Sequence, residues 1–125
     1  MKRFALFVAS ISICFTSPVQ AQSRIDILQI LDNFLASRTA AVRCQTTSEA
    51  TNAKFFSNLS IVTIRAGETF RAQNPRLSEA ESTRRFKARM EAATKRGGQI
   101  AAQGCSLGRA RALLKLYEMH ATMSF

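Results

Sequence analysis

The apolar residues of the segment 24–42 recur at the spacing of one helix face. At 100° per residue they gather on one side of a helix, and polar residues fill the other side. Ser23, followed three residues later by Asp26, resembles a helix-start arrangement. The pattern predicts a first helix over 24–42. Its buried face is expected to hold Ile27, Ile30, Leu31, Phe34, Leu35, Ala41 and Val42.

A second helix start is predicted at Thr46, because Glu49 follows three residues later. Apolar residues then continue at helical spacing to Gly67, where we expect this helix to end. The segment 59–64 is rich in β-branched residues, so a strand is the alternative, although an isolated strand would lack a pairing partner. The helical interpretation gives a buried stripe of Ala50, Ala53, Phe56, Leu59 and Val62.

The clearest helix start is the capping box of Ser78 and Glu81, which follows the chain break at Asn74-Pro75. It predicts a third helix from 79 to about 96, ended by Gly97-Gly98. The segment 99–104 would add at most one short turn. The face expected to be buried holds Thr83, Phe86, Met90 and Ala93.

The outer face of this third helix carries oppositely charged residues four positions apart. Glu81 precedes Arg85 and Glu91 precedes Lys95, the order that favours ion pairing along a helix. This spacing is typical of a solvated surface.

A last helix is predicted from about Ser106 to Ala121. Together the four segments predict an all-α fold, a small three- to four-helix bundle, formed by a single domain at 22–125. The length of the chain suits one domain with a modest core. The apolar side of the last helix holds Ala110, Leu113, Leu114, Leu116 and Tyr117, opposite Arg111, Lys115 and Glu118.

The segment 1–21 has the three-part layout of a secretory signal peptide. Lys2 and Arg3 precede an apolar run that ends at Phe15, and Val19-Gln20-Ala21 presents modest side chains where a signal peptidase cuts. The run is shorter than the roughly 20 apolar residues that a membrane-spanning helix needs. We therefore expect cleavage after Ala21, export to a periplasm or out of the cell, and no membrane span in the processed chain.

Two cysteines remain once Cys14 leaves with the signal. In an exported protein, the pair Cys44 and Cys105 is most simply interpreted as one disulfide, worth roughly 4 kcal/mol in the chain-entropy model. A redox or metal site is the alternative. The C-x-x-C spacing is absent, and His120 is the only histidine that could join the cysteines as a ligand.

The chain is strongly basic, with 18 Lys and Arg residues, 8 Asp and Glu residues and a formal net charge of +10. Loss of Lys2 and Arg3 with the signal would leave 16 basic residues and a net charge of +8. The basic residues form no long run, which indicates a charged folded surface and not a basic tail.

Four arginines are candidate binding residues. Arg85, Arg89 and Arg96 lie within about 40° of one another on the predicted third helix, where they suit phosphate or carboxylate groups. The alternative is an ordinary solvated face, because Glu81 and Glu91 partly offset their charge. Arg38 is expected to project into the middle of the apolar face of the first helix, where it must snorkel, find a carboxylate partner or mark a frayed end.

His120 and the chain end complete the set of candidate features. His120 lies beside apolar positions near the end of the last helix, which favours a packing role over a pH-sensing one. The tail from Met119 through Met123 to Phe125 either caps the bundle or offers an apolar surface to a partner.

The sequence lacks the motifs of common enzymes, such as a nucleophile elbow, a phosphate loop or a zinc-protease helix. We expect no catalytic activity, cofactor or metal. The leading hypothesis is a protein-binding or accessory module that meets another protein in the cell envelope or outside it, as an inhibitor, immunity-type, assembly or chaperone protein. The alternative is binding to a polyanion, namely lipid phosphate, acidic glycan or extracellular nucleic acid.

Overall fold

The computed structural model describes residues 26–44 and 47–125, and that part of the chain contains four helices and no strand. The predicted all-α bundle is confirmed, and the segment 59–64 is helical. The predicted signal peptide and the predicted cap residues Ser23 and Thr46 lie outside the described residues. The helices are α1 Ile27–Cys44, α2 Glu49–Gln73, α3 Glu79–Ala102 and α4 Gly108–Thr122.

Side-chain oxygens begin three of the helices. The Asp26 carboxylate accepts the backbone N–H of Leu28 at 3.0 Å, and Ser78 accepts that of Glu81 at 3.2 Å, as the capping box predicts. Ser48 has the same role at the start of α2. Each oxygen satisfies an N–H that the first helical turn cannot pair internally.

The predicted glycine stops are wrong. α2 continues through Gly67 to Gln73, and α3 continues through Gly97-Gly98 to Ala102. A glycine costs about 1 kcal/mol in a helix interior, which tertiary packing readily offsets. The segment 99–102 is accordingly the last turn of α3 and not a separate element, and the chain leaves this helix through Gly104 at a φ of 142°.

α1 is the central helix, because it packs against α2, α3 and α4, whereas α2 and α3 barely touch each other. The main core lies around α1, and the rings of Phe34, Phe55 and Tyr117 pack against one another within it. Gly97 brings α3 against α1, since a Cβ at this position would lie only 2.6 Å from the Cα of Ala36. The buried apolar residues of the main core are Leu28, Leu31, Phe34, Leu35, Ala41, Phe55, Leu59, Val62, Ala66, Ala93, Tyr117 and Ala121.

Several predicted buried positions are exposed. Val42 is 68% exposed because the side of α1 that it occupies is not covered at the end of that helix. In α2, Phe55 takes the core position expected for Phe56, and Ala50 and Ala53 face solvent. In α3, Ser82 is buried and Thr83 is exposed.

The disulfide between Cys44 and Cys105 is confirmed, with an S–S distance of 2.03 Å and a Cα–Cα distance of 5.8 Å. It joins the last residue of α1 to the connection between α3 and α4. In the described part of the chain, no helix combines the length and the apolar character that crossing a membrane requires.

Candidate binding surfaces

Arg89 belongs to an ion pair between helices. Its Nε and Nη2 atoms donate to the two carboxylate oxygens of Asp32 on α1, at 3.1 Å and 2.8 Å. The Asp32 side chain is only 15% exposed and that of Arg89 34%. This two-bond geometry fixes α3 against α1, so Arg89 has a structural role independent of any ligand.

Arg85 shares a carboxylate with Arg84. Arg84 and Arg85 each contact Glu81 Oε1 at 2.7 Å, which includes the predicted Glu81–Arg85 pair. The hydrogen bonds from Arg84 and then Arg85 lower the pKa of Glu81 to about 2. The predicted pair of Glu91 and Lys95 is not formed. The Glu91 carboxylate instead lies 3.9 Å from Lys87 Nζ.

Arg96 lies beside Asn33 of α1, whose Oδ1 accepts a long hydrogen bond of 3.4 Å from its Nη2. The three arginines of α3 therefore face Glu81, Asp32 and Asn33. A role for Arg85, Arg89 and Arg96 in binding a ligand stays a prediction. An anionic ligand would have to compete with the Glu81 carboxylate for Arg85 and with the Asp32 carboxylate for Arg89.

Arg38 is exposed and α1 continues past it to Cys44, so of the three expected outcomes the structure shows snorkelling. Its guanidinium carbon lies 5.0 Å from the ring centroid of Phe56 on α2, which is itself 43% exposed. α2 offers an aromatic face to this side of α1, and the cation stacks on it and stays in contact with water. Arg38 has no carboxylate within 4.0 Å among the described residues.

Arg38, Val42 and Phe56 form what we call the Arg38–Phe56 patch. Beside it lies a cavity of about 250 Å³. In the wall of this cavity, the hydroxyls of Tyr117 and Thr47 both donate to Asn52 Oδ1, at 2.6 Å and 2.7 Å. Burial raises the pKa of Tyr117, so this phenol stays protonated and neutral. The cavity is lined by Ala41, Val42, Thr47, Asn52, Phe56 and Tyr117.

His120 is buried in the core as a neutral side chain. Its ring stacks on Phe34 with centroids 3.8 Å apart, and its Nδ1 lies 3.3 Å from the Ser37 hydroxyl. Burial lowers the pKa of His120 to about 4. These contacts support the packing role that the sequence favoured.

The chain end folds back onto the bundle. The Asn58 side-chain amide donates to the carbonyl oxygens of His120 and Met123, at 2.8 Å and 2.9 Å. The ring of Phe125 lies 6.5 Å from that of Phe34, with Arg65 at 5.8 Å from its centroid. The tail therefore caps the bundle, although Met119, Met123 and Phe125 each keep more than a third of their surface exposed.

The sequence pattern missed the Arg38–Phe56 patch because it assigned Phe56 and Val42 to the core. One signal was present. Phe55 and Phe56 are adjacent and so point about 100° apart on a helix, which means that both cannot face the same core. Among the described residues, no cluster of His, Cys, Asp and Glu suits a metal ion.

No protein-family model matches the chain, and neither a curated protein nor a solved structure matches it significantly. Function must therefore be inferred from the residues and their geometry.

Proposed function

We propose that the processed chain is an exported accessory module, periplasmic or secreted, that binds another protein through the Arg38–Phe56 patch. The observation that carries this proposal is the joint exposure of an arginine, an aromatic ring and an aliphatic side chain, the last two of which line one cavity. Aromatic residues and arginine are enriched at the energetic centres of protein interfaces.

The chemistry of the patch indicates the kind of segment that it receives. The apolar wall of Val42 and Phe56 suits an apolar anchor side chain, and Arg38 suits a carboxylate beside that anchor. The net charge of +8 that remains after loss of Lys2 and Arg3 draws an acidic partner toward this surface over a longer range. The occupant that we propose is thus an acidic segment of a partner protein with an exposed apolar residue.

Two features support the proposed compartment. The Cys44–Cys105 disulfide is of the kind that persists in oxidising environments outside the cytoplasm. The described part of the chain has no helix suited to spanning a membrane, which is compatible with release after cleavage at Ala21.

Polyanion binding has weaker support. The net charge favours it, but Arg84, Arg85 and Arg89 already hold protein carboxylates. A salt series separates the two functions. Polyanion binding should weaken steeply toward physiological salt, whereas an interface centred on Phe56 and Val42 should weaken only modestly.

The test is affinity capture from extracts of the native compartment with matched variants. Arg38→Glu is paired with Arg111→Glu, which makes the same charge change on α4, and Phe56→Ser is paired with Leu107→Ser, an exposed apolar residue elsewhere. We expect the two patch variants to weaken capture by about tenfold or more, as loss of an interface centre does. The two control variants should capture the partner as the native protein does.

Thermal unfolding of all four variants establishes that each is folded before capture is compared. Equal capture by Arg38→Glu, Phe56→Ser and the native protein would contradict the proposal. An equal loss of capture in Arg38→Glu and Arg111→Glu would show that net charge, and not the patch, determines binding. That result would favour the polyanion alternative.

A further inference from the structure

The space between α2 and α3 contains a second cavity, of about 280 Å³. Its lining residues all belong to α2 and α3, which barely touch each other. Its walls include the rings of Phe70 and Phe86, with centroids 5.5 Å apart and planes tilted by 47°. Small-ligand pockets are mostly apolar with a few convergent polar groups, and their volumes begin at roughly 300 Å³. At about 280 Å³ the cavity lies just below this range, so it suits only a small ligand.

Ser82 lines this cavity, and its hydroxyl oxygen lacks a hydrogen-bond partner among the described residues. The residue is only 4% exposed. A buried hydroxyl without a partner destabilises the fold relative to one that is bonded. Ser82 lines the cavity, but its hydroxyl oxygen is itself buried, so this residue marks a polar position in the wall and not an exposed donor.

Gly67 is the second unexplained feature of the cavity wall. An alanine at this position would place its Cβ 3.6 Å and 3.8 Å from the Phe86 ring, which is ordinary van der Waals contact. Alanine also has a higher helix propensity than glycine in a helix interior. Neither the backbone nor the packing of α2 requires a glycine at this position, and the absence of a side chain leaves this side of the Phe86 ring open to the cavity.

Arg71 supplies charge at the rim. It is exposed in the last turn of α2 and has no carboxylate within 4.0 Å in the part of the chain that the structure describes. A guanidinium without a protein partner, next to an apolar cavity, suits the carboxylate of a ligand whose body is apolar.

The geometry points to a binding site for a small apolar carboxylic acid between α2 and α3. The acid group pairs with Arg71, and the apolar body lies against Phe70 and Phe86 over Gly67. This site is separate from the Arg38–Phe56 patch, and it does not depend on the function proposed for that patch.

The test is a titration of the purified, isotopically labelled protein, followed by amide chemical shifts. The probes are 3-phenylpropanoate and octanoate, with 3-phenylpropanamide as the uncharged match and acetate as the acid without an apolar body. We expect saturable shifts from the two apolar acids, centred on Gly67, Arg71 and Ser82. The amide should bind about tenfold more weakly and acetate not at all.

Gly67→Ala separates loss of the site from loss of the fold. It should weaken binding of both acids by about tenfold while raising the melting temperature, because the added methyl occupies the cavity and favours the helix. Gly98→Ala, at a helical glycine of α3 that does not line the cavity, is the matched control and should bind as the native protein does. The inference is overturned if neither acid gives saturable shifts up to about 10 mM. It is also overturned if the shifts lie elsewhere or if Gly67→Ala binds normally.

Discussion

Gly97 lets α3 approach the backbone of α1 at Ala36. A methyl group at Gly97 would lie 2.6 Å from the Cα of Ala36, whereas one at Gly98 would meet only the Thr39 methyl at 3.5 Å. We expect Gly97→Ala to lower the free energy of unfolding by about 2 to 3 kcal/mol, because backbone cannot move aside cheaply. Gly98→Ala should be neutral or raise it by up to about 1 kcal/mol. Urea unfolding of both variants checks this, and a change of the same sign and size in both would contradict it.

His120 makes the stability of the fold depend on pH. Its pKa is about 4 in the folded protein, against an ordinary value of 6.5. The unfolded chain therefore binds a proton that the folded chain excludes, and the free energy of unfolding falls as the pH drops from 6.5 toward 4. Because this is the only histidine, we expect a loss of about 2 kcal/mol between pH 7 and pH 5.

The matched variant is His120→Phe, which keeps a flat ring against Phe34 but cannot titrate. Ser37 keeps its hydrogen bond to the Phe34 carbonyl oxygen in that variant. Urea unfolding at the two pH values should give nearly equal free energies for His120→Phe. The low pKa of Glu81 acts below this range and does not interfere. A native protein equally stable at both pH values would show that the His120 ring is not buried as the structure has it.

At the scale of elements, the Asp32–Arg89 pair joins α1 to α3. A double-mutant cycle with Asp32→Ala and Arg89→Ala should give a coupling energy of about 1 to 2 kcal/mol, since the pair is partly buried and makes two charged hydrogen bonds. Urea unfolding of the two single variants and the double variant measures it. A coupling near zero would remove the structural role of Arg89 and leave its charge available to a ligand.

The start of α3 was predictable from the sequence, whereas the caps of α1 and α2 and the ends of α2 and α3 were not. Ser78 begins α3 as expected because a cap depends on residues three positions apart. Gly67 and Gly97 do not end their helices, because packing against other helices outweighs the local preference of glycine. The sequence spacing alone contains no information about those neighbours.

At the scale of the whole molecule, the candidate sites depend on which helices are neighbours. The Arg38–Phe56 patch forms only where α1 lies beside α2. The second cavity forms only where α2 lies beside α3. Neither relation follows from periodicity, so the sequence identified Arg38 as unusual without finding Phe56. It found the disulfide because an exported chain with two remaining cysteines leaves one pairing.

Export and the Cys44–Cys105 bridge are the basis of the proposed compartment, and intact mass tests both at once. The protein should be purified from its native compartment without reductant and alkylated before and after reduction. We expect a chain that begins at Gln22, is lighter by two hydrogen atoms than its reduced form, and takes up alkyl groups only after reduction. A full-length chain with free thiols would contradict the export, and with it the proposal that this protein meets its partner in the envelope or outside the cell.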